Sequence, residues 1–199
     1  MVQKNKLIPE TRCAWAGDDP LYHRYHDNEW GVPIHNDKKL FEFLVLEGMQ
    51  AGLSWMTVLK KRQAFREAFD GFDFNAVAEY KQGKINSLLK NPCIIRNRMK
   101  VNSAVTNARA FLKVRNEFGT FNSYIWSFVD DKPIQNSWES IKELPAKTEI
   151  SEEISRDLKK RGFSFVGPTI VYAYMQAIGM VNDHTKDCFR YREIKALSD

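Results

Sequence analysis

Apolar residues recur at helical spacing through the first half of the 199-residue chain. The pattern predicts a helix that is capped by Asn36 or Asp37 and runs towards Gln50. Gly52 interrupts this periodicity, because glycine is a poor helix former. A second helix is predicted over 57–69, where large apolar side chains again fall on one face.

The second half of the chain shows the same helical period, broken where turn residues cluster. A tight turn at 94–98 leads into a long predicted helix over 100–118. The stretch 130–147 contains Asp, Asn and Pro residues and is predicted to be a long surface loop. Further helices are predicted at 74–80, at 85–89, from Ser151 to a stop at Gly162, and from Pro168 to the region of Gly179.

No segment alternates polar and apolar residues over a sustained length, so the sequence predicts no strands. The predicted fold class is mainly or wholly α-helical, a globular helical array rather than a regular bundle. We expect one compact domain over 12–190, either undivided or with two helical lobes around a cleft. A flexible N-terminal extension at 1–11 and a C-terminal tail at 191–199 complete the predicted organisation.

The composition is that of a globular protein, with 43% hydrophobic residues. No apolar run is long enough to span a membrane, and residues 1–11 lack the apolar segment of a secretory signal. We therefore expect a cytoplasmic protein without membrane association. The formal net charge of +5 favours a polyanionic partner such as nucleic acid, although many basic proteins have no such partner. Basic residues cluster at 60–62, 96–100 and 159–161.

Cysteine and histidine residues form two pairs at opposite ends of the chain. Cys13 and His26 lie near the start, while His184 and Cys188 lie near the end at a spacing that places them on one helical face or across one tight turn. With Cys93 the cysteine count is odd, which argues against a disulfide framework and leaves thiols free to bind metal. Two Cys and two His are a common tetrahedral zinc set, but the spacing alone does not distinguish a site from coincidence. Four protein ligands would leave no position for water, so such a site would be structural.

Three stretches make the sequence recognisable: RCAW at 12–15, YHDNEWGVP at 25–33 and LEGMQAGLSW at 46–55. They resemble the 3-methyladenine DNA glycosylase I family. The resemblance extends from residue 12 to residue 188. Later stretches agree with it, namely IIRNR at 94–98, WSFV at 126–129, KKRGF at 159–163, FVG at 165–167, and VNDH at 181–184 followed by Cys188.

The resemblance implies a helix-hairpin-helix DNA glycosylase fold and an enzyme of base-excision repair. Such an enzyme hydrolyses the N-glycosidic bond of 3-methyladenine in alkylated double-stranded DNA and releases the free base, without a lyase step. The resemblance also implies that Cys13, His26, His184 and Cys188 bind one structural zinc ion that joins the N- and C-terminal segments. The sequence shows no heptad pattern, so we expect a monomer.

A glycosylase must bring its target base out of the DNA stack into a pocket. Methylation at N3 gives adenine a positive charge, which aromatic faces and carboxylates attract. Trp55 is the candidate stacking platform, and the resemblance implies that Glu47 accepts hydrogen bonds from the base edge as the catalytic residue. Tyr25 is carried over as a second base-binding residue, and Trp30 is expected to complete the wall. Alternatively, the aromatics belong to the core and Glu47 pairs with a nearby Lys or Arg.

Two loops contain the predicted DNA-binding residues. Leu53 is the candidate wedge that fills the gap left in the duplex, with burial in the core as the alternative. The hairpin at 92–98 would present backbone N–H groups to a phosphate, helped by the N-terminus of the long helix. Arg96, Arg98 and Lys100 would add positive charge there.

Two positions depart from the family pattern. Cys93 stands where many helix-hairpin-helix turns have glycine, so we expect a distorted turn and a buried free thiol. Met49 stands where the family has a polar Gln, so we expect an altered pocket edge. No water-activating base is assigned, because Asp27, Glu29 and Asp183 are equally suited to capping a helix or orienting a zinc ligand.

Three alternative functions stay open at this point. A non-catalytic DNA-binding module fits the charge, the hairpin and the metal residues, but it gives no reason for Glu47 and Trp55. A zinc hydrolase requires an open metal position for water. A glycosylase for another alkylated purine keeps the enzyme class and changes the lesion.

Overall fold

The computed structural model describes residues 11–197, an assembly of helices with one very short sheet. The predicted extension 1–11, except for its last residue, and the last two residues of the predicted tail lie outside the described residues. The α-helices are α1 (Pro20–Asn28), α2 (Asp37–Gln50), α3 (Trp55–Lys60), α4 (Arg62–Ala68), α5 (Phe74–Ala78), α6 (Gln82–Lys90), α7 (Arg98–Phe118), α8 (Phe121–Trp126), α9 (Glu149–Lys160), α10 (Pro168–Ala177) and α11 (Phe189–Lys195). Short 3₁₀ turns cover Ala14–Ala16, Asp70–Phe72, Ser127–Val129 and Ile141–Glu143.

The sheet consists of β1 (Ile134–Gln135) and β2 (Val181–Asn182), which pair in parallel. Each strand has only two residues, too few for an alternating pattern to appear in the sequence. The predicted mainly α-helical class is therefore confirmed. The pairing holds the predicted surface loop 130–147 against the segment that leads to α11.

Helix α2 is the central helix of the core, and it begins and ends where the sequence pattern predicts. The side chain of Asn36 caps it by accepting a hydrogen bond from the backbone N–H of Lys39 at 3.1 Å. Every residue from 40 to 49 is buried, as expected for a helix that is covered on all sides. Helices α3, α7, α8 and α10 pack around it. After the helix, Gly52 takes a φ of +73°, which favours glycine.

Several predicted helices differ from the structure in their bounds, and the physical reason is clear for two of them. The predicted helix 57–69 is divided into α3 and α4 at Lys61, where ψ is 0° rather than the helical value. Helix α9 begins before the predicted Ser151, because Thr148 is its cap. The side-chain oxygens of Thr148 and Ser151 each accept a hydrogen bond from the backbone N–H of the other residue, forming a capping box.

Two helices near the ends of the chain were not predicted. Helix α1 starts with a clear signal, because the Asp19 side chain accepts a hydrogen bond from a backbone N–H and Pro20 occupies the first position. Helix α11 spans the predicted start of the tail at residue 191, and its Ile194 is buried. Among the described helices, none has the length and apolar character needed to cross a bilayer.

Candidate active site and metal centre

A cavity of about 230 Å³ is lined by four aromatic side chains, by residues of α2 and α10, and by two aliphatic residues of the loop 130–147. The four residues that the sequence analysis predicts for a base pocket, Tyr25, Trp30, Glu47 and Trp55, all line it. The fold thus brings together residues from two separate motifs. The other lining residues are Trp15, Gln50, Ile141, Leu144, Ala173 and Gln176.

The aromatic walls are fixed by local structure. Trp55 is the first residue of α3, and Ser54 caps that helix through its side chain. The rings of Tyr25 and Trp55 lie with their centroids 5.3 Å apart, and those of Trp15 and Trp30 are 4.9 Å apart in an edge-to-face arrangement. These separations are typical of favourable aromatic pairs, which stabilise the shape of the cavity.

Trp15 is a lining residue that the sequence analysis did not predict, although the RCAW motif contains it. It follows Cys13 closely, and its ring centroid lies 5.4 Å from that of His26 and 5.6 Å from that of Tyr22. Its Nε1 is buried without a hydrogen-bond partner, and the same is true of Nε1 of Trp55. Unpaired buried donors are rare in folded proteins, so this wall suits a ligand that supplies acceptors.

Glu47 lies in the last turn of α2 with only 3% of its surface exposed. Its Oε2 is buried without any hydrogen-bond partner in the part of the chain that the structure describes. Burial raises the pKa of Glu47 to about 8. The alternative in which Glu47 pairs with a nearby Lys or Arg therefore does not describe this site.

Tyr25 is a neutral hydrogen-bonding group beside this carboxyl. It is 3% exposed, and burial followed by the charge of Glu47 raises the pKa of Tyr25 well above its ordinary value. The phenol therefore keeps its proton at neutral pH. An aromatic cavity with one buried acid and few competing charges is suited to a flat heterocycle that carries a delocalised positive charge.

Met49 does not belong to the cavity, and the expectation that it alters the pocket edge is wrong. It is 1% exposed in the core, whereas its neighbour Gln50 lines the cavity. Successive residues of an α-helix point about 100° apart, so these two side chains face different surroundings.

Leu53 lies at the surface on the turn that follows α2. It is 42% exposed, so the alternative of burial in the core does not hold. Its backbone N–H donates to the carbonyl of Gln50 at 2.6 Å, which fixes the turn. Leu53 thus presents an apolar side chain to solvent close to the helix end that carries Glu47.

The segment before α7 carries the exposed side chain of Arg96, and the exposed Arg98 is the first residue of α7. Lys61 also reaches this segment, since its Nζ donates to the carbonyls of Pro92 and Cys93 at 3.4 and 3.2 Å. The expectation of a buried Cys93 thiol in a distorted turn is wrong. Cys93 is free but exposed, and its φ is not positive, so this hairpin does not require glycine there.

Lys100 occupies a different position from the surface position that was predicted. It is 6% exposed, and its Nζ donates to the carbonyls of Met49 and Ala51 at 2.8 and 2.6 Å. These carbonyls lie at the C-terminal end of α2, where a cation is favourable. Lys100 therefore joins α7 to α2, and its ammonium does not extend from the surface with the two arginines.

Cys13, His26, His184 and Cys188 form a buried group whose ligand atoms all lie within 4.8 Å of one another. Cys188 Sγ lies 3.4 Å from His26 Nε2 and 3.5 Å from His184 Nδ1, and Cys13 Sγ lies 3.5 Å from His184 Nδ1. A tetrahedral zinc site with ordinary bond lengths separates its sulfur and nitrogen ligands by about 3.5 Å. The four side chains are therefore able to hold a metal ion.

In both imidazoles of this cluster, the ring nitrogen that faces away from the other ligands has a hydrogen-bond partner. His26 Nδ1 lies 2.8 Å from Asp27 Oδ1, and Arg12 binds the same carboxylate at 2.7 Å. His184 Nε2 lies 3.1 Å from the carbonyl oxygen of Trp30. Each ring therefore keeps its other nitrogen for the cluster, as metal-binding histidines commonly do.

Asp27, Glu29 and Asp183, which the sequence left as candidates for a water-activating base, have other contacts. None of them lines the cavity. Asp27 orients His26. The Glu29 carboxylate pairs with the guanidinium of Arg62 at 2.6 Å. Asp183 accepts hydrogen bonds from four side chains, described below.

The fold and the cavity together define a helical protein with a buried acid inside a cavity lined by aromatic side chains. The chain belongs to the methyladenine glycosylase family, which it matches over residues 15–191. The DNA-3-methyladenine glycosylase of Haemophilus influenzae is 48% identical over 178 residues, which cover 89% of this chain and 96% of that protein. The DNA-3-methyladenine glycosylase 1 of Escherichia coli is 48% identical over 180 residues, covering 90% and 96%.

Solved structures agree with this family. A crystal structure of 3-methyladenine DNA glycosylase I matches with a TM-score of 0.88 at 48% identity, covering 90% of this chain and 98% of that one. A Tyr-to-Phe variant of 3-methyladenine DNA glycosylase I in complex with 3-methyladenine matches with a TM-score of 0.87 at 37% identity, covering 89% and 96%.

Proposed function

We propose that this protein is a DNA-3-methyladenine glycosylase of base-excision repair. It hydrolyses the N-glycosidic bond of 3-methyladenine in alkylated double-stranded DNA. The observation that carries this proposal is the buried, unpaired carboxyl of Glu47 inside an aromatic cavity. The 48% identical relatives are DNA-3-methyladenine glycosylases, and a structural relative binds 3-methyladenine itself.

The cavity recognises the charge of the flipped base. Trp55 stacks on one face of the base beside Tyr25, Trp30 closes the wall, and Glu47 accepts a hydrogen bond from the edge of the base. A cationic base beside Glu47 lowers the pKa of that carboxyl again, so the ionised form faces the charge. Unmodified adenine carries no charge to offset the burial of a carboxylate and is bound less tightly.

The reaction needs little proton transfer from the protein. The bond between C1′ and N9 breaks, and its electron pair stays on the base, which leaves as neutral 3-methyladenine. Water adds to C1′ of the sugar and gives a proton to solvent. Because the base is cationic before cleavage, electrostatic stabilisation of the transition state by Glu47 is sufficient, and no lysine-dependent lyase step follows.

Duplex DNA lies across the face that carries Leu53 and the hairpin 92–98, in the manner of helix-hairpin-helix glycosylases. Leu53 enters the gap that the flipped base leaves, which its exposure permits. Arg96 and Arg98 bind phosphates on either side of the hairpin. We expect the protein to be a monomer and to act in the cytoplasm.

One structural zinc ion is held by Cys13, His26, His184 and Cys188. The donor set, the ligand separations and the support of both imidazoles favour zinc. When bound, zinc would crosslink the two ends of the domain, and four protein donors would leave no place for a reacting water. Trp30 lines the cavity and its carbonyl oxygen contacts His184, so a bound ion would also stabilise one cavity wall.

Release of free base from methylated duplex DNA, resolved by chromatography, tests the function. We expect the wild type to release 3-methyladenine and Glu47→Gln to lower kcat roughly 10²-fold or more. The control is Glu79→Gln, which changes an exposed carboxylate at the end of α5 and should retain full activity. Release of a different purine would change the assigned lesion. Intact DNA binding without any base release would favour a non-catalytic DNA-binding module.

Metal analysis and chelation test the zinc site. We expect one zinc per chain in the purified protein, and Cys188→Ser should lose the metal and lower the unfolding temperature. Chelation should weaken the fold and the activity together, because zinc binding contributes to folding. Loss of activity on chelation with the unfolding temperature unchanged would instead favour a zinc hydrolase.

A further inference from the structure

Gln176 lines the cavity from α10 and is held there by a buried carboxylate. Its Nε2 donates to Oδ2 of Asp183 at 2.7 Å. Asp183 is 1% exposed and accepts three further hydrogen bonds: from Asn136 Nδ2 at 2.7 Å, from Trp138 Nε1 at 2.8 Å and from Tyr172 Oη at 2.6 Å. The loop 130–147 and α10 are thus joined at one carboxylate.

This contact determines which end of the Gln176 amide is free. A carboxylate accepts hydrogen bonds and does not donate them, so the NH₂ group must face Asp183 and the carbonyl oxygen must face away. No donor among the described residues is bonded to that oxygen. The cavity therefore contains a fixed acceptor in addition to the carboxyl of Glu47.

Gln50 provides the comparison, because it is the second glutamine of the cavity. Its side chain makes no hydrogen bond to another described residue. An amide without such a bond can turn to present either its donor or its acceptor. The Gln50 amide can therefore turn to suit a donor or an acceptor on a ligand. The Gln176 amide offers only an acceptor.

Purine bases differ in the hydrogen-bonding group that they would present to the oxygen of Gln176. Adenine has an exocyclic amine with two N–H donors, and guanine has a carbonyl oxygen at the same ring position. In the proposed function, Glu47 accepts one of the two N–H groups of the amine. We propose that the carbonyl oxygen of Gln176 accepts the other, so that Gln176 selects amino-purines over oxo-purines among the methylated bases of DNA. Asp183 holds Gln176 in that orientation.

This inference rests on the proposed glycosylase function, and its test uses DNA that contains both 3-methyladenine and 3-methylguanine. Gln176→Met keeps the length of the side chain and removes the acceptor. We expect release of 3-methyladenine to fall about tenfold and release of 3-methylguanine to stay unchanged or rise, because one hydrogen bond is lost from the amine alone. Gln50→Met is the matched control within the cavity. It should change the release of both bases by the same factor.

A ratio of the two products that is the same in Gln176→Met and in the wild type would overturn the inference. Should the variant not fold, the wild type can be titrated with free 3-methyladenine and with 3-methyladenine that carries one methyl on its exocyclic amine. Loss of one N–H should weaken binding about tenfold if both N–H groups are bonded. Equal affinity for the two bases would overturn the inference. Absence of any purine release by the wild type would refute the proposed function, while the titration would still test Gln176.

Discussion

Glu42 and Glu47 lie in the same helix and are both buried, with 5% and 3% of their surfaces exposed. Two guanidinium groups hold Glu42: Arg62 Nε and Arg66 Nη2 both lie 2.7 Å from its Oε1. Burial acts to raise the pKa of Glu42, but the charges and hydrogen bonds of the two arginines outweigh it and lower the pKa. Glu47 has no such partner, and burial alone raises its pKa.

Glu42 is a buried acid with a structural role, whereas Glu47 is a buried acid suited to binding a ligand. The paired carboxylate of Glu42 joins α2 to α4, and Arg62 continues the connection to Glu29 at the end of α1. The unpaired carboxyl of Glu47 holds nothing together and lowers the stability of the folded protein whenever it ionises. Such an acid is expected where a cationic ligand supplies the missing partner.

The largest effect that we expect comes from Arg62→Met, which leaves Glu42 buried with one partly exposed arginine. The loss in the free energy of unfolding should be about 3–5 kcal/mol, as for other broken buried ion pairs. Urea denaturation at neutral pH measures it. The double variant Glu42→Gln and Arg62→Met should regain much of the loss, because Glu29 is partly exposed and can be solvated. A double variant no more stable than Arg62→Met would show that Glu42 is not the stranded charge.

Glu47→Gln should have the opposite effect on stability, and the effect should depend on pH. The folded-state pKa of about 8 lies above the ordinary value of 4.5, so the folded protein holds a proton that the unfolded chain has lost. The free energy of unfolding of the wild type should therefore fall between these two pH values, by a few kcal/mol, and level off above them. The Gln variant should lack this decline.

Denaturation curves at about pH 5 and about pH 9 compare the two proteins. They should be nearly equally stable at the lower pH, with the variant more stable at the higher one. Parallel stability profiles would mean that Glu47 titrates normally, and its contrast with Glu42 would disappear.

Lys100→Met tests whether the ammonium of Lys100 at the C-terminal end of α2 acts on the backbone carbonyls or on the carboxyl of Glu47. Removal of its ammonium leaves the carbonyls of Met49 and Ala51 without their partner, and the loss in stability should be about 1–3 kcal/mol. The pKa of Glu47 should not move, because burial is its only cause. Lys113→Met, an exposed change on α7, is the control. A shift in the pH dependence of stability would place Lys100 in the electrostatics of the cavity.

The sequence was sufficient to predict features that depend on a short segment of the chain. The cap at Asn36 and the long apolar period predicted α2, and the motifs of the family resemblance placed Tyr25, Trp30, Glu47 and Trp55 in one pocket. These features depend on residue type within a short segment. The strands β1 and β2 contain too few residues for periodicity to stand out, whereas α1 was missed although Asp19 and Pro20 mark its start.

The orientation of single side chains across the fold was not predictable in the same way. Trp15 and Gln176 reach the cavity only because the N-terminal segment and α10 pack beside α2. Lys100 was predicted at the surface because it lies in a basic cluster. It nevertheless shares a face of α7 with the buried Ala104 and Asn107, so helical spacing contained a signal that charge obscured.

The smallest effect should come from Lys39→Met, which removes a third cation from Glu42. Lys39 Nζ lies 3.8 Å from Glu42 Oε2, and its side chain is 51% exposed. Water screens such a pair, so the change in the free energy of unfolding should be less than about 1 kcal/mol, measured under the conditions used for Arg62→Met. The two variants remove a positive charge from the same carboxylate and differ mainly in burial. A loss as large as that of Arg62→Met would mean that charge alone, rather than buried hydrogen bonding, holds Glu42, and the absence of an adjacent arginine would no longer explain why Glu47 differs.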